Sequence, residues 1–251
     1  MTKYLDVAVR AAKKAGSYVM RHFDKENAIS FKKGREIVTE IDKQSEKIII
    51  GELLKAFPSH GVWSEERPEL EKKSQFRWVV DPIDGTAIFT RGFPFFGIAI
   101  ALERKGKPVV AVHYFPALKW LYTAEKGKGA YCNGERIHVS KNTKKDPLIY
   151  LVSTELLRHP RLMSPFMREA RERKVRPEAY GSTAFHISMV AHGRADASFD
   201  FHVKPGDIAA GILLVEEAGG RVTDRRGKKA TSAATGVISS NGKFHRTLTQ
   251  Q

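Results

Sequence analysis

The run Trp78-Val79-Val80-Asp81-Pro82-Ile83-Asp84-Gly85-Thr86 constrains the fold most, because a short apolar strand delivers two carboxylates, a glycine and a hydroxyl into one tight turn. Pro82 fixes its own φ, so Asp81 and Asp84 are able to converge on a hard cation with the Ile83 carbonyl free to join them. Gly85 lets backbone N–H groups approach an anion, and Thr86 offers a hydroxyl to water or to a phosphate oxygen. The alternative is a plain reverse turn with capping aspartates, since Asp-Pro and Asp-Gly are both turn formers.

The pattern on either side alternates between helix and strand, an α/β (α+β) chain. Leu5, Val9, Ala12, Gly16 and Val19 recur at helical spacing, and Ile41, Ser45, Ile48, Ile49 and Phe57 outline a second helix with Asp42 near its start. Thr39 followed by Asp42 reads as a capping box with aspartate in place of glutamate. Residues 76–80, 96–102, 109–115 and 119–124 read as strands, the last three in an antiparallel meander broken by Lys105-Gly106-Lys107-Pro108 and Phe115-Pro116-Ala117. The polar stretch 140–147 divides an N-terminal α+β half, 1–140, from a C-terminal α/β half, 141–251. The second half carries a strand at 148–153 and helices near 165–174, 182–192 and 207–218. Asp207 is placed as the N-cap of the last helix and Gly219 or Gly220 as its C′ residue.

Two further acidic segments accompany the turn: Trp63-Ser64-Glu65-Glu66 upstream and Gly206-Asp207-Ile208-Ala209-Ala210-Gly211 downstream. The three together resemble the inositol monophosphatase family, which carries a Glu-Glu pair, then Asp-Pro-Ile-Asp-Gly-Thr, then Trp-Asp-x-Ala-Ala-Gly. The similarity continues through Lys126-Gly127-Lys128-Gly129-Ala130-Tyr131-Cys132-Asn133-Gly134 and Glu216-Glu217-Ala218-Gly219-Gly220. This resemblance implies a layered α-β-α-β-α sandwich of the inositol monophosphatase/fructose-1,6-bisphosphatase type, with the site where the halves meet. It implies that Glu65, Asp81, the Ile83 carbonyl, Asp84 and Asp207 bind two Mg²⁺ ions, with Asp42 near a weaker third or its water shell. It places phosphate on Gly85 and Thr86, makes Glu65, Thr86 and Asp84 the catalytic group, and lines the pocket for the alcohol part with Gly181, Ser182, Thr183 and Asp200.

The implied activity is Mg²⁺-dependent, lithium-sensitive hydrolysis of a small polyol or sugar phosphate monoester. Myo-inositol 1-phosphate leads, fructose 1,6-bisphosphate is a further substrate, and histidinol phosphate or a 3′-phosphoadenosine nucleotide is the alternative. The chemistry suits the donors, since charge on the entering and leaving oxygens of an inert monoester is what two metal ions stabilise. Two positions depart from the family pattern: Gly206 stands where tryptophan is usual, and Ile88 where asparagine is common. With Val203-Lys204-Pro205 beside it, Gly206 is expected to leave that wall more open and more basic. Asp200 is alternatively a partner of His202 or Lys204, and Glu66 a solvated neighbour of Glu65.

At 251 residues and 41% hydrophobic, the chain buries a large core. It has no long uncharged apolar stretch and no signal-peptide core at its start, so a soluble cytoplasmic protein is expected. A single cysteine, Cys132, excludes an internal disulfide and reads as a core thiol. His186 and His192 are six residues apart, which argues against zinc. Lys and Arg outnumber Asp and Glu by 43 to 28, a formal charge of +15. Such a field steers anionic phosphates, and also opens a second class of role, association with RNA or a transcription complex. Members of the family it resembles are frequently homodimers.

Overall fold

A computed structural model of the protein describes residues 2–25, 29–31, 37–143, 145–158, 171–172 and 175–249. Its framework is two sheets and a hairpin, β1 (Ile29–Phe31) with β2 (Ile37–Thr39). In the eight-stranded sheet the order is β10 (Glu135–Ile137), β9 (Gly129–Cys132), β8 (Trp120–Glu125), β7 (Lys107–Phe115), β6 (Gly97–Arg104), β5 (Phe76–Asp84), β3 (Gly61–Ser64) and β4 (Arg67–Leu70). The five-stranded sheet runs β12 (Arg176–Glu178), β11 (Ile149–Val152), β13 (Ala197–Phe201), β15 (Gly236–Ser240) and β14 (Arg221–Thr223). The expected meander is present as the antiparallel series β6 to β8, and β9 extends it by one more strand.

Helices fill the spaces the strand faces dictate. Helix α1 (Lys3–Met20) buries Leu5, Ala8, Ala12, Ala15 and Val19, and α2 (Glu40–Ala56) buries Ile41, Ser45, Ile49 and Leu53. Both cover one face of the large sheet, where Val62, Trp78, Val80, Ile98 and Ile100 join their cluster. Alternate residues Val79, Ala99 and Ala101 point the other way, as the period of two requires, onto a layer formed by Thr183–Ala191 and Pro205–Glu217. After the short α3 (Thr86–Phe89) and α4 (Thr154–Arg158), these two are α5 and α6. The outer face of the five-stranded sheet is closed by α4 and α7 (His245–Thr249), with Tyr150, Leu156, Phe199, Phe244 and Leu248 between them. The five layers are therefore α-β-α-β-α.

The central cluster draws on both sides of the 140–147 stretch, from Val79 to Val237, so the two halves share one core. Strand β5 outlasts its expected end at residue 80 and runs to Asp84. The helix expected near 165–174 lies almost wholly outside the described residues. Cys132 is a buried free thiol, and burial pushes its proton affinity up. No helix among the described residues is long and apolar enough to cross a membrane.

Candidate active site

The β5–β6 ladder loses register between Asp81 and Asp84, a bulge that takes Pro82 and Ile83 out of regular pairing. That is how a proline sits inside an interior strand, and how both aspartates come to be aimed at one end of the sheet. Asp81 Oδ1 accepts the Ile83 N–H at 3.0 Å, and the Pro82 carbonyl accepts Ser45 Oγ at 2.9 Å. Gly85 follows at φ +88°, where an added Cβ would lie 3.1 Å from Ile88 Cγ1 and 3.2 Å from Ser182 Cβ. It caps α3, whose first N–H groups have no partner within the helix.

Carboxylate oxygens of Glu65, Asp81 and Asp207 come within 4.8 Å of one another. Asp84 adjoins them with its Oδ2 accepting Ser182 Oγ and, at 2.8 Å, the Ala184 N–H. Asp42 forms the expected capping box, its Oδ2 accepting the Thr39 N–H at 2.8 Å. Its Oδ1 also accepts Thr86 Oγ1 at 2.8 Å, and the same hydroxyl lies 2.9 Å from the Ile83 carbonyl. Cap and site neighbour are thus one residue. Asp207 differs from its expected place: Lys204 is the N-cap, Pro205 opens α6, and Asp207 is the third helical residue, accepting the Lys204 N–H at 2.8 Å. The Pro205 ring is suited to the first turn, which moves the start of the helix upstream of Asp207. Gly219, at φ +89°, follows the end of α6 as expected.

A cleft lined by so many carboxylates resists ionisation. Burial, then the charges of Glu65, Asp84 and Asp207, hold the Asp81 carboxyl well above its ordinary range. Asp84 is raised by burial to about 6, against the pull of its Ser182 and Ala184 donors. Asp207 is raised to about 8 by burial and by Asp84 and Glu65, with Lys204 opposing. Asp42 is also raised by burial, less so because Thr39 and Thr86 donate to it. Negative charge crowded into a partly desolvated cleft is what a divalent cation relieves.

One neighbour lies outside every motif of the sequence. Buried Glu46 on α2 accepts Ser64 Oγ at 2.6 Å and the Glu66 N–H at 3.1 Å, so it holds the chain on both sides of Glu65. Its position four residues after Asp42, on the same helical face, was the available signal. Lys204 Nζ donates to Glu65 Oε1 at 3.0 Å. The wall at Gly206 is not open: a Cβ there would lie 3.0 Å from Trp63 Cζ3 and 3.1 Å from the Val80 carbonyl. An indole from β3 occupies that space. Ile88 packs between two glycines of the site, its Cγ2 only 2.8 Å from where a Gly181 Cβ would be.

Asp200 is fully buried and pairs with neither His202 nor Lys204; its Oδ1 meets His186 Nδ1 at 2.8 Å. His186 Nε2 accepts the Tyr180 N–H at 3.1 Å, so the proton between His186 and Asp200 belongs to Nδ1. The pair anchors the loop that presents Gly181 and Ser182, with Thr183 starting α5. Asp200 Oδ2 is buried without a hydrogen-bond partner.

Comparison with known proteins agrees with this geometry. The chain matches the inositol monophosphatase family over residues 1–251. A fructose-1,6-bisphosphatase/inositol-1-monophosphatase of Thermotoga maritima is 35% identical over 242 residues, covering 96% of this chain and 92% of the relative. An inositol-1-monophosphatase of Mesorhizobium japonicum is 38% identical, covering 97% and 94%, and a histidinol-phosphatase of Chlorobaculum parvum is 35% identical, covering 99% and 96%. The crystal structure of the extragenic suppressor protein suhB from Bartonella henselae superposes with a TM-score of 0.94 at 35% identity, covering 99% of this chain and 98% of that one. With an acidic cluster beside a bulged Asp-Pro-Ile-Asp-Gly-Thr turn and a match along its whole length, the chain belongs to the inositol monophosphatase family and is a phosphoric monoester hydrolase.

Proposed function

We propose that the protein hydrolyses a small polyol or sugar phosphate monoester with Mg²⁺, myo-inositol 1-phosphate foremost and fructose 1,6-bisphosphate as a further substrate. The convergence of Glu65, Asp81 and Asp207 oxygens within 4.8 Å carries this reading. The donors are all oxygen, and their raised proton affinities fit a site completed by a hard cation. Glu65, Asp81, the Ile83 carbonyl, Asp84 and Asp207 would hold two Mg²⁺, with Asp42 beside a third. Bound there, the ions would supply positive charge that acidifies a water and screens a leaving alkoxide.

The remaining roles fall to the chain itself. The Thr86 hydroxyl, tied to Asp42, orients the attacking water together with Glu65. Gly85 and Thr86 present N–H groups to the phosphate. Ser182 and Ala184 keep Asp84 in position. Gly181, Ser182 and Thr183 border the alcohol pocket, and Asp200, fully buried against His186, holds the loop that carries them. The +15 charge is read as steering of anionic substrate.

Phosphate release tests this on inositol 1-phosphate, fructose 1,6-bisphosphate, histidinol phosphate and 3′-phosphoadenosine 5′-phosphate, with Mg²⁺, with EDTA, and with millimolar lithium. The expected result is EDTA-sensitive, lithium-inhibited turnover that is fastest on inositol 1-phosphate. A preference for histidinol phosphate or the nucleotide would overturn the substrate assignment, and Mg²⁺-independent turnover the metal assignment.

A further inference from the structure

Lys204 touches two of the three clustered carboxylates in two different ways. Its backbone N–H donates to Asp207 Oδ2 at 2.8 Å, and its ammonium donates to Glu65 Oε1 at 3.0 Å. The residue is extended, φ −103° and ψ 165°, which is the region a following proline enforces, so Pro205 sets the direction in which the stem leaves the chain. The ion pair joins segments 139 residues apart. The Lys204 side chain is 36% exposed and that of Glu65 19%, so the ammonium has a way out to solvent without unfolding anything.

A carboxylate oxygen with an ammonium on it is a weaker ligand for a divalent cation, and an ammonium left at that distance would repel the cation as well. We propose that Lys204 is a tethered competitor for the metal at Glu65: its ammonium holds the carboxylate while the site is empty and must withdraw when the site loads. This rests on the metal-site reading above and adds to it a residue that sets how much free Mg²⁺ the site requires. The basic character that Lys204 was expected to give the pocket wall beside Gly206 acts here on metal affinity.

The test is a titration of the full-length protein with Mn²⁺ alone, no substrate present, read by calorimetry or by the spin signal of free Mn²⁺. Lys204→Met removes the charge and keeps the stem; Lys204→Arg keeps a cation. Lys204→Met is expected to bind Mn²⁺ about two- to fivefold more tightly than the wild type, the scale of a partly exposed ion pair. Lys204→Arg is expected to stay within about twofold of the wild type. In EDTA, Lys204→Met should melt below the wild type, because Glu65 loses its counter-charge. Equal or weaker Mn²⁺ binding in Lys204→Met overturns the competition while leaving the metal site standing. Absence of Mn²⁺ binding in both proteins overturns the competition and the metal site together. If Lys204→Met does not fold, Lys204→Gln gives the same reading in the same titration.

Discussion

Glu46 offers a sharp test of how the site is held, because it contacts no reacting group and acts only through the chain around Glu65. Glu46→Ala removes the acceptor for Ser64 Oγ and for the Glu66 N–H. Ser64 is 3% exposed, so its hydroxyl is left buried and unsatisfied at a cost of about 1–3 kcal/mol. The Glu66 N–H is only partly buried and reaches water, which limits its loss to about 1 kcal/mol. A total near 3 kcal/mol lowers the melting temperature by about 6–12 °C in a chain of this size. The larger effect is on turnover: with both anchors gone, a shift of Glu65 on the order of 1 Å costs about 100-fold. Both donors meet one oxygen, Glu46 Oε2, so the amide oxygen of Glu46→Gln is able to accept from both, and this variant is expected to stay closer to wild type than Glu46→Ala. Thermal melts and phosphate release at saturating Mg²⁺ read both quantities. A Glu46→Ala protein that melts within about 2 °C of wild type and turns over within about threefold would refute the anchoring argument.

Asp84→Asn should fold normally, since an amide oxygen still accepts from Ala184, yet lose more than about 100-fold in turnover, given that even outer partners of a metal site cost 10–100-fold; near-normal phosphate release would remove Asp84 from the ligand set. In EDTA, stability should fall as pH rises. The Asp84 carboxyl, raised from 3.8 to about 6, binds its proton more tightly folded than unfolded, a contribution of about 3 kcal/mol present in acid and lost through pH 6, which Asp207, raised to about 8, prolongs. The melting gap between Mg²⁺ and EDTA should therefore widen from pH 5 to 8, and a constant gap would contradict the charge-crowding account. Gly206→Trp should destabilise by about 1–3 kcal/mol or more through the clash with Trp63, and Trp63→Ala in the same chain should recover most of it; melts showing no recovery would place the obstruction elsewhere.

The helices and the meander were legible because amphipathic spacing and turn chemistry are local. Lys3–Met20 and Glu40–Ala56 follow their apolar periodicity closely, and the strands of the meander shift by only a residue or two. Strand β5 was underestimated because a bulge lets pairing resume at Asp84, beyond a proline that reads as a stop. Asp207 was misplaced by three residues because Asp is a good N-cap and Pro205, two positions earlier, is a better first-turn residue. Glu46 and His186 carried no motif, and Trp63, though inside one, gave no sign of its contact with Gly206, since each matters through a partner elsewhere along the chain.

The sequence by itself determined the α/β class and the candidate donors of the site, because turn chemistry, apolar periodicity and a set of acidic motifs survive without knowledge of contacts. What tertiary structure alone decided is who holds those donors. Glu46 behind Glu65, Ser182 on Asp84, His186 against Asp200, Trp63 in the space above Gly206 and Lys204 on Glu65 are pairings across 14 to 143 residues. Hydrogen bonds and packing act over a few ångströms, and only the layered fold brings such distant positions that close.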